Sequence, residues 1–371
     1  MTLAAQRPIV PAHARTPMVR VGATRLRLDL GGHVLLPGLV NAHDHLEFNL
    51  FPELGRGPYP NAAEWARDIY RPAQSPIREQ LRVPKPVRLW WGGLKNLLSG
   101  VSTVCHHNPY DPAVFGADFP VRVVRRFSWA HSLAFEPDVP ARFQRAPSRQ
   151  PFLIHCGEGT DASSRREVRT LDSLGALDQR TAIVHGVALT PADVALMRRR
   201  GAALVWCPTS NLNMLGRTVS RGVLRSGLPV ALATDSALSA AVDLQDELRV
   251  ARRYIPADRL YDMVTSVPAK ILRLSRSDTA GDWIAVRSSG QSPAQALLDG
   301  SVALVVVAGR VRLISPDLAR QVPGRLLRTF QPLRLADRPA VLVDADVRGL
   351  MRAAARHLGS DFRLAGKRVF G

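Results

Sequence analysis

Cysteine is scarce in this 371-residue chain. Cys105, Cys156 and Cys207 are the whole supply; each sits in an apolar, strand-like run, and no two form a C-x-x-C pair. A disulfide framework is therefore not expected, and neither is the zinc-deaminase signature that ends in C-x-x-C. Thiol usage of this kind points to the cytoplasm. Long hydrophobic runs are also missing. No uncharged apolar stretch reaches about 18 residues, so no membrane span is expected. The opening MTLAAQRPIVPAHARTP has no basic region followed by an apolar core, so no secretory signal is expected either. Lysine stands only at 85, 95, 270 and 367, which leaves 46 of the 50 basic residues as arginine.

That arginine gives a formal net charge of +19. Such a charge raises nucleic-acid binding as a function class. The arginines are scattered, with small clusters such as RRR at 198–200. No helix-turn-helix pattern, zinc-finger spacing or aromatic-basic RNA signature accompanies them. A solvated basic surface that attracts acidic small molecules or partners accounts for the charge at least as well. A non-enzymatic, basic nucleic-acid-binding protein stays as the alternative from another class.

What is present is a set of short apolar runs that end in polar residues. LLPGLVNAHDHLEF at 35–48 places His43 and His45 two apart, on one face of a strand. Alone, His-x-His is a weak motif: the pair could hold a metal or be two ordinary histidines near a loop. PFLIHCGEG (151–159), TAIVHGVAL (181–189), AALVWCPTS (202–210) and LPVALATDS (228–236) repeat the same form. Helical patterns fill the gaps, as in TPADVALMRRRG, with Thr190 as N-cap and Gly201 just past the end. Continuous apolar strands alternating with helices imply a parallel sheet covered by helices. In a β/α barrel all such strand ends meet at one face. His43, His45, His155, His185 and Asp235 stand at those ends, and Glu158 follows three residues after His155. Each has an ordinary reading, as a core histidine, a helix cap or a loop carboxylate. Together, in separate units that a barrel unites, the ordinary readings are hard to sustain.

H-x-H on the first strand, then HCGE, VHG and TDS in this order, resemble the amidohydrolase superfamily of metal-dependent hydrolases. LLPGLVNAHDH, CPTSN and ATDSALS resemble its deaminase and chlorohydrolase branch. The likeness covers about residues 18 to 315. It implies a (β/α)8 TIM-like barrel with a small β-sandwich built from both chain ends. It further implies that His43, His45, His155 and Asp235 bind one divalent metal, with zinc first and iron or manganese as alternatives. Glu158 would shuttle protons, His185 would orient or polarise substrate or water, and CPTSN would shape the pocket. Three imidazoles and a carboxylate suit such an ion and leave room for a water, which becomes hydroxide near neutral pH. The activity so implied is attack of a metal-bound hydroxide on a C–N bond, foremost deamination of a nitrogen heterocycle. An amidase or a dechlorinase on the same mononuclear scaffold is the alternative. The partner is a small-molecule substrate; self-association is left open.

Departures accompany the likeness. No lysine lies between Lys95 and Lys270, which excludes a lysine-bridged pair of metals; Glu136 is the one carboxylate to nominate for a second ion. Only about 45 residues separate VSTVCHH (101–107) from PFLIHC, where two strands are needed. PVRVVRRFSWAHSL (120–133) supplies one, so one unit is expected to be shortened or lost. The segment 49–86 is long for a loop and suggests a lid or a site wall. Its Phe51, Tyr59 and Trp65, with Phe48 just before it, could stack a planar ring or pack a lid. His106 and His107 could line the site or sit solvated. The expected division is 1–33 and 276–315 for the two parts of the sandwich, 34–275 for the barrel, and 316–371 for a helical tail.

Overall fold

The computed structural model describes residues 16–371; the expectation about the extreme N-terminus lies outside them. Eight short parallel strands follow one another along the chain: β1 (Leu39–Asp44), β2 (Val101–His106), β3 (Arg122–Val123), β4 (Ser128–Ser132), β5 (Phe152–Cys156), β6 (Thr181–His185), β7 (Ala203–Trp206) and β8 (Val230–Leu232). They form two parallel sheets, β1–β2–β3 and β4 through β8 in order. The ladder breaks between β3 and β4 and between β8 and β1. At the second break the chain beyond β8 still meets β1: the Asp235 amide donates to the His43 carbonyl at 3.2 Å, and the Thr234 amide to Asn41 Oδ1 at 3.3 Å.

Alternation along these strands builds two cores. Val40, Ala42, Cys105, Leu153, Val184, Val205 and Ala231 share one buried cluster, enclosed by the strands. Leu39, Val101, Ile154, Ile183, Leu204 and Leu232 belong to another, which faces the helices. The helix Pro191–Arg200 shows why those helices stop and start where they do. Thr190 accepts from the Asp193 amide, completing a capping box, and Gly201 closes the helix at φ +74°.

Two strands lie where the sequence reading found one. The stretch 120–133 holds both β3 and β4. What is missing is the covering helix: none stands between β2 and β3 or between β3 and β4. A two-residue strand carries no periodicity, which is why β3 could not be seen.

Both chain ends meet in one ten-stranded sheet. His33–Pro37 pairs antiparallel with Trp283–Arg287, so the run that begins at residue 35 crosses from this sheet into β1 at Gly38. A Cβ at Gly38 would collide with Ser102, which is why glycine stands at the crossing. The expected boundary at residue 33 is corrected accordingly, because the strand His33–Pro37 still belongs to the sheet. The expected helical tail is also corrected. Besides the helix Val347–Leu358, residues 316–371 supply Phe330–Leu335, Val341–Asp344, Arg363–Leu364 and Lys367–Phe370 to the same sheet. Pro332 inside one of these strands, and the brevity of another, hid the alternation.

The long segment after β1 is not a bare loop. It contains helices Ala62–Ile69 and Ile77–Arg82. Its backbone is laced over the strand ends: Leu54 N donates to Leu238 O (2.9 Å), Tyr59 N to Met214 O (2.8 Å) and Ala62 N to Glu158 O (3.0 Å). These bonds lay the segment across residues that follow three of the strands. Among the described residues no helix is long and apolar enough to cross a membrane.

Candidate metal centre

Alternation carries the inner face of the strands directly into this site. Leu153 faces the enclosed core, so His155, two residues on, faces the same way; Cys105 directs His107, and Trp129 directs His131, by the same rule. His185 breaks it. Val184 faces the inner core, so His185 would point outward in a regular strand, but its backbone is left-handed at φ +76°. Asp235 is left-handed as well, at φ +59°. For non-glycine residues this costs on the order of 1–2 kcal/mol each, and such strain collects at functional sites.

Seven of the ten histidines gather here: His43, His45, His106, His107, His131, His155 and His185. Potential ligand atoms of His43, His155, His185 and Asp235 all lie within 4.8 Å of one another. His43 Nε2 is 3.2 Å from His155 Nε2 and 3.3 Å from Asp235 Oδ1. His45 stands at the edge of the group, its Nε2 3.6 Å from the same carboxylate oxygen. His185 is thus as central as any expected ligand, although the sequence reading placed it on the substrate side.

The outer hydrogen bonds fix which nitrogen of each ring carries the proton. A carbonyl can only accept, so His155 donates from Nδ1 to the His131 carbonyl at 2.7 Å. His45 Nδ1 meets Asn108 Oδ1 at 2.5 Å, and His185 Nδ1 meets Asn211 Oδ1 at 2.9 Å. His43 is fixed through a relay: His107 Nε2 donates to the Ala130 carbonyl (3.1 Å), so its Nδ1 accepts from His43 Nδ1 (3.1 Å). Burial favours the neutral form of His43, His107, His155 and His185. It lowers His43 to about 4, His155 and His107 well below the ordinary value, and His185 in the same direction. His43, His155 and His185 therefore turn bare Nε2 lone pairs inward, beside the Asp235 carboxylate. That arrangement repels itself unless a cation sits inside it. On this ground the residues fit a divalent metal.

Asp235 is held by Ser210 Oγ (2.7 Å) and Ser239 Oγ (2.8 Å). Ser210 and Asn211 both belong to CPTSN, so the motif orients Asp235 and His185. Its sequence signal was visible, but not this use of it. Glu158 lies 3.3 Å from His185 Nε2, its carboxyl pushed well above the usual range by burial and then by the charge of Asp235. Burial beside Asp235 therefore favours the protonated form of this carboxyl.

A further group escaped the sequence reading. Lys95 Nζ pairs with Asp44 at 2.8 Å, both essentially without solvent contact. Asp44 also accepts from Asn49 and Asn96 (2.8 Å each) and from Thr234 Oγ1 (3.2 Å). Asp44 lies between His43 and His45, and Thr234 precedes Asp235, so this network clamps the two segments that carry three of the expected ligands. Glu136 lies elsewhere: it accepts from the His131 amide and pairs with Arg142 at 3.4 Å. His106 accepts from the Leu46 amide, with its ring against Phe115.

The family described as "Amidohydrolase family" matches residues 153–281. A 5-methylthioadenosine/S-adenosylhomocysteine deaminase of Syntrophobacter fumaroxidans is 28% identical over 326 residues, 72% of this chain and 70% of that one. An aminodeoxyfutalosine deaminase of Deinococcus radiodurans is 40% identical over 91 residues, 24% of this chain and 22% of that one. Among solved structures, an adenosine deaminase from Xanthomonas campestris with bound zinc has a TM-score of 0.65 at 19% identity, over 88% of this chain and 85% of that one. Atrazine chlorohydrolase of Arthrobacter aurescens with zinc also has a TM-score of 0.65, at 16% identity, over 88% of both chains. These last two likenesses are of fold.

Proposed function

We infer that the chain belongs to the amidohydrolase superfamily, on its deaminase and chlorohydrolase side, and propose from that premise that it deaminates a nitrogen heterocycle by hydrolysis. The substrate is a small molecule whose ring carries an exocyclic amine; water replaces the amine, and ammonia leaves. The observation that carries this reading is the set of inward Nε2 lone pairs around Asp235, with the Glu158 carboxyl at its rim. His43, His45, His155 and Asp235 would hold one divalent ion, zinc before iron or manganese. When bound, that ion supplies Lewis acidity toward water and substrate.

The chain's own groups do the rest. Glu158 takes a proton from the attacking water and returns it to the leaving nitrogen, which needs a carboxyl that exchanges protons near neutral pH. His185, fixed by Asn211 and facing Glu158, orients the substrate or the attacking water. The segment 49–62 excludes bulk water above them. In this reading the eight strands form one (β/α)8 barrel, with a helix-less side at β2–β4. Both chain ends form the small sandwich domain: residues up to Gly38 and those from about 281 on, the last stretch included. Three free, buried thiols accord with a cytoplasmic enzyme.

The test is release of ammonia from a panel of amino-substituted purines, pyrimidines and triazines by the metal-loaded protein. A panel that yields chloride or an alkylamine but no ammonia would move the assignment to the dechlorinase or amidase alternative. Absence of turnover with one metal bound per chain would overturn it.

A further inference from the structure

A cavity of about 560 Å³ opens on the side of the strands that lacks helices, and it shares no lining residue with the histidine cluster. Its size is that of a small-molecule site. Its walls are dominated by arginine. Arg310 and Arg312 are two apart in the strand Arg310–Ile314 and so share a face. Arg20 is the register partner of Arg310 on the neighbouring strand. Like charges at such positions destabilise a sheet. From the opposite wall, the helix-less link between β3 and β4 adds Arg125 and Arg126.

Some of these charges are balanced within the protein. Arg126 pairs with Asp278 (3.0 Å) and Arg312 with Asp344 (3.1 Å). Others meet no carboxylate among the described residues. Arg20 donates to the Ala308 carbonyl, Arg273 to the carbonyls of Ser148 and Gln179, and Arg125 lies over the Tyr110 ring at 5.8 Å. Arg312 is 4% exposed, yet its Nε has no partner. A buried guanidinium N–H left open beside a cavity, with a second arginine two residues away, is costly unless an acceptor comes from outside. The remaining walls are apolar and aromatic, with Tyr110, Phe115, Phe119 and Leu272 among them. A lone inorganic anion would leave most of that space unfilled.

We propose that this cavity binds a small organic phosphate, its phosphate held by Arg20, Arg125 and Arg312 and its planar or apolar body set against Tyr110 and Phe119. Guanidinium forks match phosphate oxygens in pairs, and aromatic walls take a flat ring. The site stands independently of the reaction proposed above.

The probe is 1-naphthyl phosphate, followed by its own fluorescence, with 1-naphthol as neutral control and inorganic phosphate as competitor. The ring carries no amine, so it is no substrate for deamination. Saturable one-to-one binding is expected, displaced by inorganic phosphate and at least ~10-fold weaker in Arg20→Ala and Arg125→Ala. Both side chains are at least partly exposed, so the fold should survive; circular dichroism checks it. Glu158→Gln should leave binding unchanged. Equal affinity for 1-naphthol, binding lost in Glu158→Gln but not in the arginine variants, or no binding would each overturn the proposal.

Discussion

The two halves of the parallel strand array differ. From β5 to β8 every strand is followed by at least one helix, and the strand-like runs begin 21 to 30 residues apart. From β1 to β4 the spacing fails: one long roofing segment, then strands with no helix between them. The regular half supplies His155, Glu158, His185 and Asp235. The irregular half supplies His43 and His45, the roof, the histidine relay and the arginine cavity. Regular units fix groups where chemistry needs them, and irregular ones control what surrounds and reaches them. The halves are also coupled, since ligands from both meet within a few ångströms.

The coupling itself can be broken most severely at Lys95. Its ion pair with Asp44 ties β1 to the helix Lys85–Leu98, and through Thr234 to the segment after β8. Removing one partner of a buried pair typically costs about 3–5 kcal/mol, because the other charge is left uncompensated. Lys95→Met should therefore lower unfolding free energy by about that amount in denaturant titration. The double variant Lys95→Met/Asp44→Leu should recover part of it. Equal stability of Lys95→Met and wild type would show that the halves are held together elsewhere.

The regular half is tested at Glu158. Glu158→Gln keeps the shape and cannot shuttle a proton, so kcat should fall by at least ~10²-fold while metal content and melting temperature hold. Turnover near wild type would place the proton transfers elsewhere. His185→Ala separates two roles within the same half. Activity lost with metal retained fits a substrate-side residue, whereas metal lost makes His185 a ligand, in keeping with its central position.

The irregular half is tested at His107. It sets the tautomer of His43 through two 3.1 Å hydrogen bonds. His107→Phe keeps a flat ring against His155 and removes the relay. Loss of such an outer partner typically weakens metal affinity 10–100-fold. Chelator competition on the purified protein reads that directly. Unchanged affinity would mean that β1 alone orients His43.

Legibility in the sequence follows the same division. The regular half showed its strands, its caps at Thr190 and Gly201, and the residues at its strand ends, because length and period repeat. His43, His45, His155, His185, Glu158 and Asp235 do converge. Their mutual geometry was not legible, since His185 turns inward only through a left-handed backbone that no pattern announces. The fixed tautomers come from Ala130, Asn108, Asn211 and the His131 carbonyl, all of them backbone or amide oxygens with no spacing rule. Strand β3, two residues long, and the clamp of Asp44 by Lys95 are tertiary facts: one has no period, and the other joins positions 51 residues apart.

The smallest effect expected is on pH dependence, at Glu167, which supports the turn after β5. Its carboxylate accepts the Gly157 amide at 2.5 Å, one residue before Glu158. Burial pushes that carboxyl up from 4.5 to about 7. Between these values the folded protein holds a proton that the unfolded chain has already released. Fewer protons bound in the unfolded state means that stability falls as pH rises through this window. The contribution is fully present below about 4.5 and lost above about 7. Glu167→Gln carries no titrating group there. Melting temperatures of the metal-free proteins between pH 4.5 and 8 should fall more steeply for wild type than for Glu167→Gln, and the two curves should run parallel above pH 8. Using metal-free protein removes the competing pH dependence of metal binding. Parallel curves across the whole range would show that Glu167 titrates normally. The Gly157 turn would then owe its position to its own left-handed φ of +66° and to the neighbouring β6 turn.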